Sequence, residues 1–337
     1  MMIKEAIGKV LNGEHLTLRE AHQVMSSIMN GEATPAQIAG LLVALKQKGE
    51  HPEEVAGFVK SMREHAVPVM VNDMDAVDGC GTGGDGTHSF NISTAASIVT
   101  AAAGVTVAKH GNRSVSSKCG SADLLEACEG NIDPGADIVR DNINNIGFGF
   151  IYAPRFHPSM KHAAGPRRDL GVRTVFNILG PMTNPAGVRR QVVGVFDKSV
   201  MNLVAEVLES TGSHHVIVAH SRDGLDEFSV SAPTDFVEVR EGKRTEASIR
   251  PEDCGLSSFP EGAVGGGDGE YNRRIFERLL EGQDGPCREA VLLNAGAMIY
   301  VSGQADSIRG GVDSARFAID SGKAKEKLQQ WVEASHG

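Results

Sequence analysis

Cysteine is scarce in this chain, and what there is forms no pattern. The five residues, Cys80, Cys119, Cys128, Cys254 and Cys287, are odd in number and include no Cys-x-x-Cys pair. That argues against a disulfide framework or a zinc site and for reduced thiols in a cytoplasmic protein. Long apolar runs are missing too. The longest, residues 95–108, is broken by Ser97, Thr100, Gly104 and Thr106 and is too short to span a bilayer. The N-terminus shows no hydrophobic segment of the secretory kind, so no membrane partner is expected. Excess positive charge is also absent. Lys and Arg number 33 against 43 Asp and Glu, a net charge of −10, which argues against a general nucleic-acid binder.

Glycine is abundant: 40 residues, beside three Tyr and one Trp. Such a composition suits the many tight turns that α/β enzymes build around ligands. At 337 residues and 41% hydrophobic, the chain can fill a sizeable core, and two domains are expected.

Residues 1–66 read as helices alone. Thr17-Leu-Arg-Glu20 and Thr34-Pro-Ala-Gln37 are capping boxes, and His51-Pro-Glu-Glu54 opens another helix with acids at its positive end. From about residue 74 short β-rich runs alternate with helical ones. The strands are expected at 105–108, 148–152, 191–195 and 215–219, and the helices at 92–103, 136–145 and 200–211. That alternation predicts βαβ units and a mostly parallel sheet flanked by helices. Residues 262–269 read as a loop, and helices fill most of 270–335. The expected division is a helical domain over 1–70, with part of 160–185 as a candidate addition to it, and an α/β domain over 71–337.

Two loops carry chemistry. Val77-Asp-Gly-Cys-Gly-Thr-Gly-Gly-Asp-Gly86 lies between a strand and a helix. Its successive backbone N–H groups can cradle phosphate near a helix N-terminus. It meets the spacing G-x-G-x-x-G, but a dinucleotide site wants an acid at the end of the next strand, where this chain has Lys109-His110. No Gly-Lys-Ser/Thr closes a P-loop. The second loop, Lys109-His-Gly-Asn-Arg-Ser-Val-Ser-Ser117, gathers two cations, an amide and three hydroxyls, all donors suited to phosphate or carboxylate oxygens. Between Arg155 and Arg190 seven cations accompany one acid, Asp169, which suggests a basic patch focusing a small polyanion into a cleft.

Taken together, Gly81-Thr-Gly-Gly-Asp85, Asn91-Ile-Ser-Thr94, Lys109-His-Gly-Asn-Arg113, His157-Pro-Ser-Met-Lys161, Phe176-Asn-Ile-Leu-Gly-Pro-Met-Thr-Asn-Pro185 and Asp223-Gly-Leu-Asp-Glu227 resemble the anthranilate phosphoribosyltransferases, in the family's order. The resemblance implies transfer of the phosphoribosyl group of phosphoribosyl pyrophosphate (PRPP) to the amine of anthranilate, the second step of tryptophan biosynthesis from chorismate. It also implies a homodimer formed through the helical domain. Gly81, Gly84, Asp85, Ser89, Asn91, Ile92, Ser93, Thr94 and Ser121 would line the PRPP site. So would the loop Lys109, His110, Gly111, Asn112, Arg113, Ser114, Val115, Ser116 and Ser117. Gly81, Asn112 and Arg167 would hold anthranilate. Ser93, Asp226 and Glu227 would ligate Mg²⁺, two ions per active site.

Some choices stay open in the residues themselves. Either Arg167 or Arg168 could face the acceptor, and the resemblance selects Arg167. His110 is a candidate proton acceptor or a structural hydrogen-bonding residue. Lys109 is expected to contact phosphate and to be dispensable for folding. No covalent nucleophile is expected. A pyrimidine nucleoside phosphorylase and a non-enzymatic nucleic-acid binder of the same architecture are the rival readings. The first would show a different glycine-loop signature, and the second an eroded acid pair and a basic surface.

Overall fold

The computed structural model describes residues 2–114 and 118–337. The chain opens with four helices, α1 (Ile3–Leu11), α2 (Leu18–Met29), α3 (Pro35–Lys48) and α4 (Pro52–Glu64). Both threonine capping boxes form. Thr17 Oγ1 accepts the Glu20 amide while the Glu20 carboxylate accepts the Thr17 amide at 2.8 Å, and Thr34 and Gln37 repeat the arrangement. Buried Glu54 fastens the bundle. It accepts the amides of Leu16 and His51 and the Lys48 ammonium, at 2.8 to 2.9 Å. Helices α2 and α4 lie so close that a Cβ on Gly57 would stand 2.4 Å from the Leu18 carbonyl.

The larger part of the chain alternates strand and helix. In order come β1 (Val77–Gly81), α5 (Ile92–Ala102), β2 (Val107–Gly111), α6 (Ser121–Ala127), α7 (Ala136–Ile146) and β3 (Phe148–Tyr152). Short helices α8 (Ala153–Phe156), α9 (Lys161–Leu170) and α10 (Phe176–Leu179) precede β4 (Arg190–Gly194), α11 (Met201–Ser210) and β5 (His215–Ser221). The hairpin β6 (Thr234–Arg240) and β7 (Lys243–Ile249) follows, then α12 (Gly269–Leu280), α13 (Pro286–Ser302), α14 (Ile308–Asp320) and α15 (Lys323–Ser335).

The seven strands form one sheet in the order β3-β2-β1-β4-β5-β6-β7. Neighbours from β3 to β5 are parallel, and β6 and β7 add antiparallel at one edge. Alternate residues serve opposite faces. Ile217, Ala219 and Phe236 pack with α5 and α13, whereas Val216, Val218 and Val237 pack with α11 and the helical bundle. The chain runs outward from β1 through β2 to β3, then returns to β4 on the other side of β1. That reversal opens a crevice beyond the carboxyl ends of β1 and β4, the place where open α/β sheets take ligands.

Two expectations shift. Strand β2 runs to Gly111, so Lys109 and His110 lie on the strand rather than in the loop after it. The reason is Asp78 on β1, whose buried carboxylate accepts the His110 amide at 3.2 Å and holds the backbone extended. The β6–β7 hairpin was not expected at all. Its turn, Glu241-Gly242, has φ of 52° and 73°, the primed geometry that matches strand twist.

Candidate active site

The crevice is built first from glycine. Beside β1 and β4 passes the segment Leu225-Asp226-Glu227, which follows β5. A Cβ on Gly81 would stand 2.4 Å from Asp226 Oδ2, and one on Gly194 would stand 1.4 Å from the Asp226 carbonyl oxygen. Both strands therefore end in glycine because Asp226 passes there, its carboxylate against Gly81 and its backbone against Gly194. The Gly83 amide donates to Asp226 Oδ2 at 2.7 Å, and the Ser93 amide, in the first turn of α5, donates to Glu227 Oε1 at 2.9 Å. Asn294 of α13 holds the far side, bonding both the Phe228 amide and its carbonyl.

These acids are uncomfortable without a cation. Burial, then the charge of Asp85, pushes Asp226 up to about 7. Burial and the neighbouring Asp226 push Glu227 well above the usual carboxylate range. Glu227 Oε2 is buried with no hydrogen-bond partner. Two hard oxygen donors beside a serine hydroxyl and an unsatisfied carboxylate oxygen suit Mg²⁺. Among the described residues no three His, Cys, Asp or Glu side chains gather into a metal site of their own. A pair of acids that shares its cation with phosphate oxygens and water has no need of a third.

Lys109 is only 1% exposed, and its Nζ donates to the Gly79 carbonyl at 2.7 Å. It thus supports the strand beneath the glycine loop and faces Asp78 electrostatically. Asn184, from the long motif ending at Pro185, donates to Asp78 Oδ2 at 2.8 Å and to the Ala108 carbonyl at 2.9 Å. His110 and His157 lie with ring centroids 5.1 Å apart. Burial lowers them to about 3 and about 4, so both are neutral, and each leaves Nε2 without a partner.

The remaining candidates lie on the segments around the crevice, and not all of them face it. Asn91 precedes α5; its amide donates to Asn272 Oδ1 at 3.1 Å, its side chain donates to the Cys119 carbonyl at 3.2 Å, and Thr94 Oγ1 donates to its Oδ1. Ser89 bridges to Gly265, which joins the loop after β1 to the glycine-rich stretch before α12. Asp85 Oδ2 accepts from Thr87 Oγ1 at 2.7 Å. Gly84 carries φ of 77°, which favours glycine. Ile92 is buried in the core, so its side chain takes no part in the crevice. A Cβ on Gly111 would meet Phe150 at 2.8 Å and the Ser121 side chain at 3.0 Å, so β2 and the start of α6 touch there. The Asn112 carbonyl accepts the Ala122 amide. Arg113 turns instead to acids on α6, and Ser114 is tied to Asp123. Val115, Ser116 and Ser117 lie outside the described residues.

The seven cations between 155 and 190 do not form one patch. Arg155 pairs with Asp133, Arg189 binds the Gly212 carbonyl, and Arg190 joins Asp75 and the Val301 carbonyl. Arg168 is exposed beside Asp169, its side chain 82% accessible. Arg167 stands 5.0 Å over the Phe176 ring, and among the described residues no hydrogen bond or ion pair of its guanidinium is found. Arg173 stacks 4.3 Å over Phe196 and donates to the Gly84 carbonyl, so it joins the segment after α9 to the glycine loop. Sequence reasoning missed Arg173, Asp78 and Asn184 as site-building residues. The only signal for Asp78 was an acid inside an otherwise apolar strand start.

The chain matches two family patterns, one described as "Glycosyl transferase family, helical bundle domain" over residues 4–66 and one as "Glycosyl transferase family, a/b domain" over 73–325. Similar curated proteins include the anthranilate phosphoribosyltransferase of Thioalkalivibrio sulfidiphilus, 50% identical over 98% of both chains. That of Anaeromyxobacter dehalogenans is 49% identical over 99% of both. The solved structure of anthranilate phosphoribosyltransferase from Thermus thermophilus superposes with a TM-score of 0.94 at 44% identity, covering 98% of this chain and 99% of that one. The Saccharomyces cerevisiae enzyme, solved in complex with PRPP and Mg, shares the fold with a TM-score of 0.90 at 24% identity over 99% and 98%. With a helical bundle, a switch-point crevice and that likeness along its whole length, this chain belongs to the anthranilate phosphoribosyltransferase family.

Proposed function

We propose that the crevice transfers the phosphoribosyl group of PRPP to the amine of anthranilate, giving N-(5-phosphoribosyl)anthranilate and pyrophosphate, the second step of tryptophan biosynthesis from chorismate. The observation that carries this reading is the buried pair Asp226 and Glu227, fixed by the Gly83 and Ser93 amides at the switch point. In the reaction the C1–O bond to pyrophosphate breaks as the C1–N bond forms. Mg²⁺, two ions in this reading, supplies charge neutralisation for the leaving pyrophosphate when bound, held by Asp226, Glu227 and Ser93.

The rest is work for the chain's own groups. The Gly83 and Ser93 amides are taken by the two acids, so the other amides of the loop after β1 and of the first turn of α5 meet phosphate oxygens, where backbone donors need no reorganisation. The loop from Asn112 and Ser121 at the head of α6 complete the donor site. Arg167, stacked on Phe176 and without a hydrogen bond or ion pair among the described residues, offers its guanidinium fork to the anthranilate carboxylate, with Asn112 and Gly81 beside the ring. The arylamine is already neutral at pH 7, so no strong base precedes attack. His110, lowered to about 3, holds a hydrogen bond to the Gly180 backbone and is too weak a base to draw the proton from the amine at rest. The proton leaves to water.

The helical lobe over 1–70, with α9 packed on it, is the wall facing the α/β lobe over 71–337. Leu11 on α1 and Val43 on α3, 70% and 48% exposed, suit a homodimer through that lobe, which sedimentation would test. Five cysteines outside any disulfide fit the reducing cytoplasm, and among the described residues no helix is long and apolar enough to cross a membrane. The activity itself is tested by mixing the protein with PRPP, Mg²⁺ and anthranilate and following the loss of anthranilate fluorescence. No loss beyond a protein-free control would refute the reading.

A further inference from the structure

Asp123, on α6, belongs to none of the residues assigned to substrate or metal, yet its carboxylate holds both feet of the loop that follows β2. Oδ2 accepts the Ser114 amide at 3.0 Å and the Gly120 amide at 2.7 Å. Oδ1 accepts Arg113 Nη1 at 2.9 Å. One turn further along α6, Glu126 takes Arg113 in a two-point grip at 2.7 and 2.8 Å. Burial alone would push the Asp123 carboxyl up, but the two amides and Arg113 hold it below the usual range.

The approach of the two feet is close. A Cβ on Gly120 would stand 2.3 Å from the Ser114 nitrogen and 2.6 Å from the Arg113 carbonyl carbon. Gly120 itself has φ of −94° and ψ of −177°, which any residue adopts. The contact, not the backbone conformation, is what requires glycine. The anchor is also braced from behind. A Cβ on Gly269 would meet the Asp123 carbonyl at 3.0 Å, and Asn272, on the same helix α12, accepts the Asn91 amide at the donor site.

We propose that Asp123 is a positioning residue for the phosphoribosyl donor. It fixes where the Asn112–Ser114 backbone and Ser121 stand relative to each other without touching the donor. This rests on the reading that the loop binds PRPP. Donor groups on Asn112–Ser114 and Ser121 that are set in advance bind phosphate more tightly.

Two variants test it. Asp123→Ala removes all three hydrogen bonds, and Gly120→Ala pushes the feet apart while leaving every charge in place. For both, the KM for PRPP should rise roughly tenfold, as expected for losing charge-assisted hydrogen bonds that set those donors, while the KM for anthranilate, which meets the displaced segment only at Asn112, should rise less than that for PRPP. The apoprotein should melt within a few degrees of wild type. Asp123→Asn keeps an acceptor for the amides and should fall between. An unchanged PRPP KM in both alanine variants would overturn the proposal. So would a joint rise of both KM values together with a large fall in melting temperature, which marks a merely structural residue. If the wild-type chain consumed no PRPP, the reading of the activity would fall first, and that result is separable from the variants' effects.

Discussion

The Lys109 ammonium donates to the Gly79 carbonyl at 2.7 Å, from a side chain the structure encloses almost completely. It therefore braces β2 against β1 beneath the glycine loop, and Asp78 supplies the charge that offsets part of its burial. The expectation that Lys109 is dispensable for folding reverses. Lys109→Ala should lower the melting temperature of the apoprotein, by a stability loss on the order of 2 kcal/mol, because Asp78 stays buried and loses its cation. Calorimetric melting without ligand is the check, and a wild-type transition would return Lys109 to a purely ligand-binding role.

How far the sequence carried is clear from particular residues. Capping boxes at Thr17 and Thr34 are local patterns, and they form as read because a cap needs only its own four residues. Parallel strands such as Phe148–Tyr152 announce themselves as short apolar runs. Strand β7 does not: Lys243-Arg-Thr-Glu246 is a charged, exposed edge, held by pairing with β6 and not by burial. The long motifs named the crevice's residues because each set is a short run, Gly81 to Asp85 and Asp223 to Glu227; that the fold brings runs 143 residues apart together was not legible. Which cations serve it was not legible. Arg167 and Arg168 are neighbours, and only packing against Phe176 separates the half-buried one from the exposed one.

That separation gives the second prediction. Arg167→Ala should raise the KM for anthranilate by roughly tenfold to a hundredfold, the equivalent of about 1.5 to 3 kcal/mol for one charge-assisted bond, with little change for PRPP. Arg168→Ala should alter neither. Steady-state titration of each substrate decides, and a reversed pattern between the two arginines would move the acceptor site by one residue.

Acid should weaken the fold through His110 and His157. Their ordinary value is 6.5, and burial lowers them to about 3 and about 4 in the folded chain. Between about pH 6.5 and 4 the unfolded chain therefore holds protons that the folded one does not, so stability falls as pH falls. Each histidine contributes at most about 1.4 kcal/mol per pH unit across that window. Asp226 works the other way, since its raised value lets the folded chain take up a proton below about 7. Urea unfolding of His110→Gln/His157→Gln at pH 7.5, 6 and 5 should show a shallower acid loss than wild type. Parallel curves would mean that the two rings titrate normally.

Asp226 and Glu227 should act as one metal site. They are adjacent, both buried, and fixed by separate amides, Gly83 and Ser93. Since phosphate oxygens are the natural remaining ligands, the complete site forms with PRPP bound. Asp226→Asn or Glu227→Gln should each raise the Mg²⁺ needed for half-maximal rate at saturating PRPP. The double variant should cost less than the sum of the two, because groups that act as a unit are not additive. Their effect on folding should have the opposite sign. Both carboxyls sit above their ordinary values, so wherever either is ionised the metal-free fold carries a charge it would rather shed, and neutralising it should raise the apoprotein melting temperature. At lower pH, where wild-type Asp226 is itself protonated, the gain from Asp226→Asn should fade. A Mg²⁺ titration of turnover and a melting series from pH 6 to 8.5 measure the two effects independently. Wild-type Mg²⁺ dependence in all three variants would remove these acids from the metal site, even if the melting series behaved as expected.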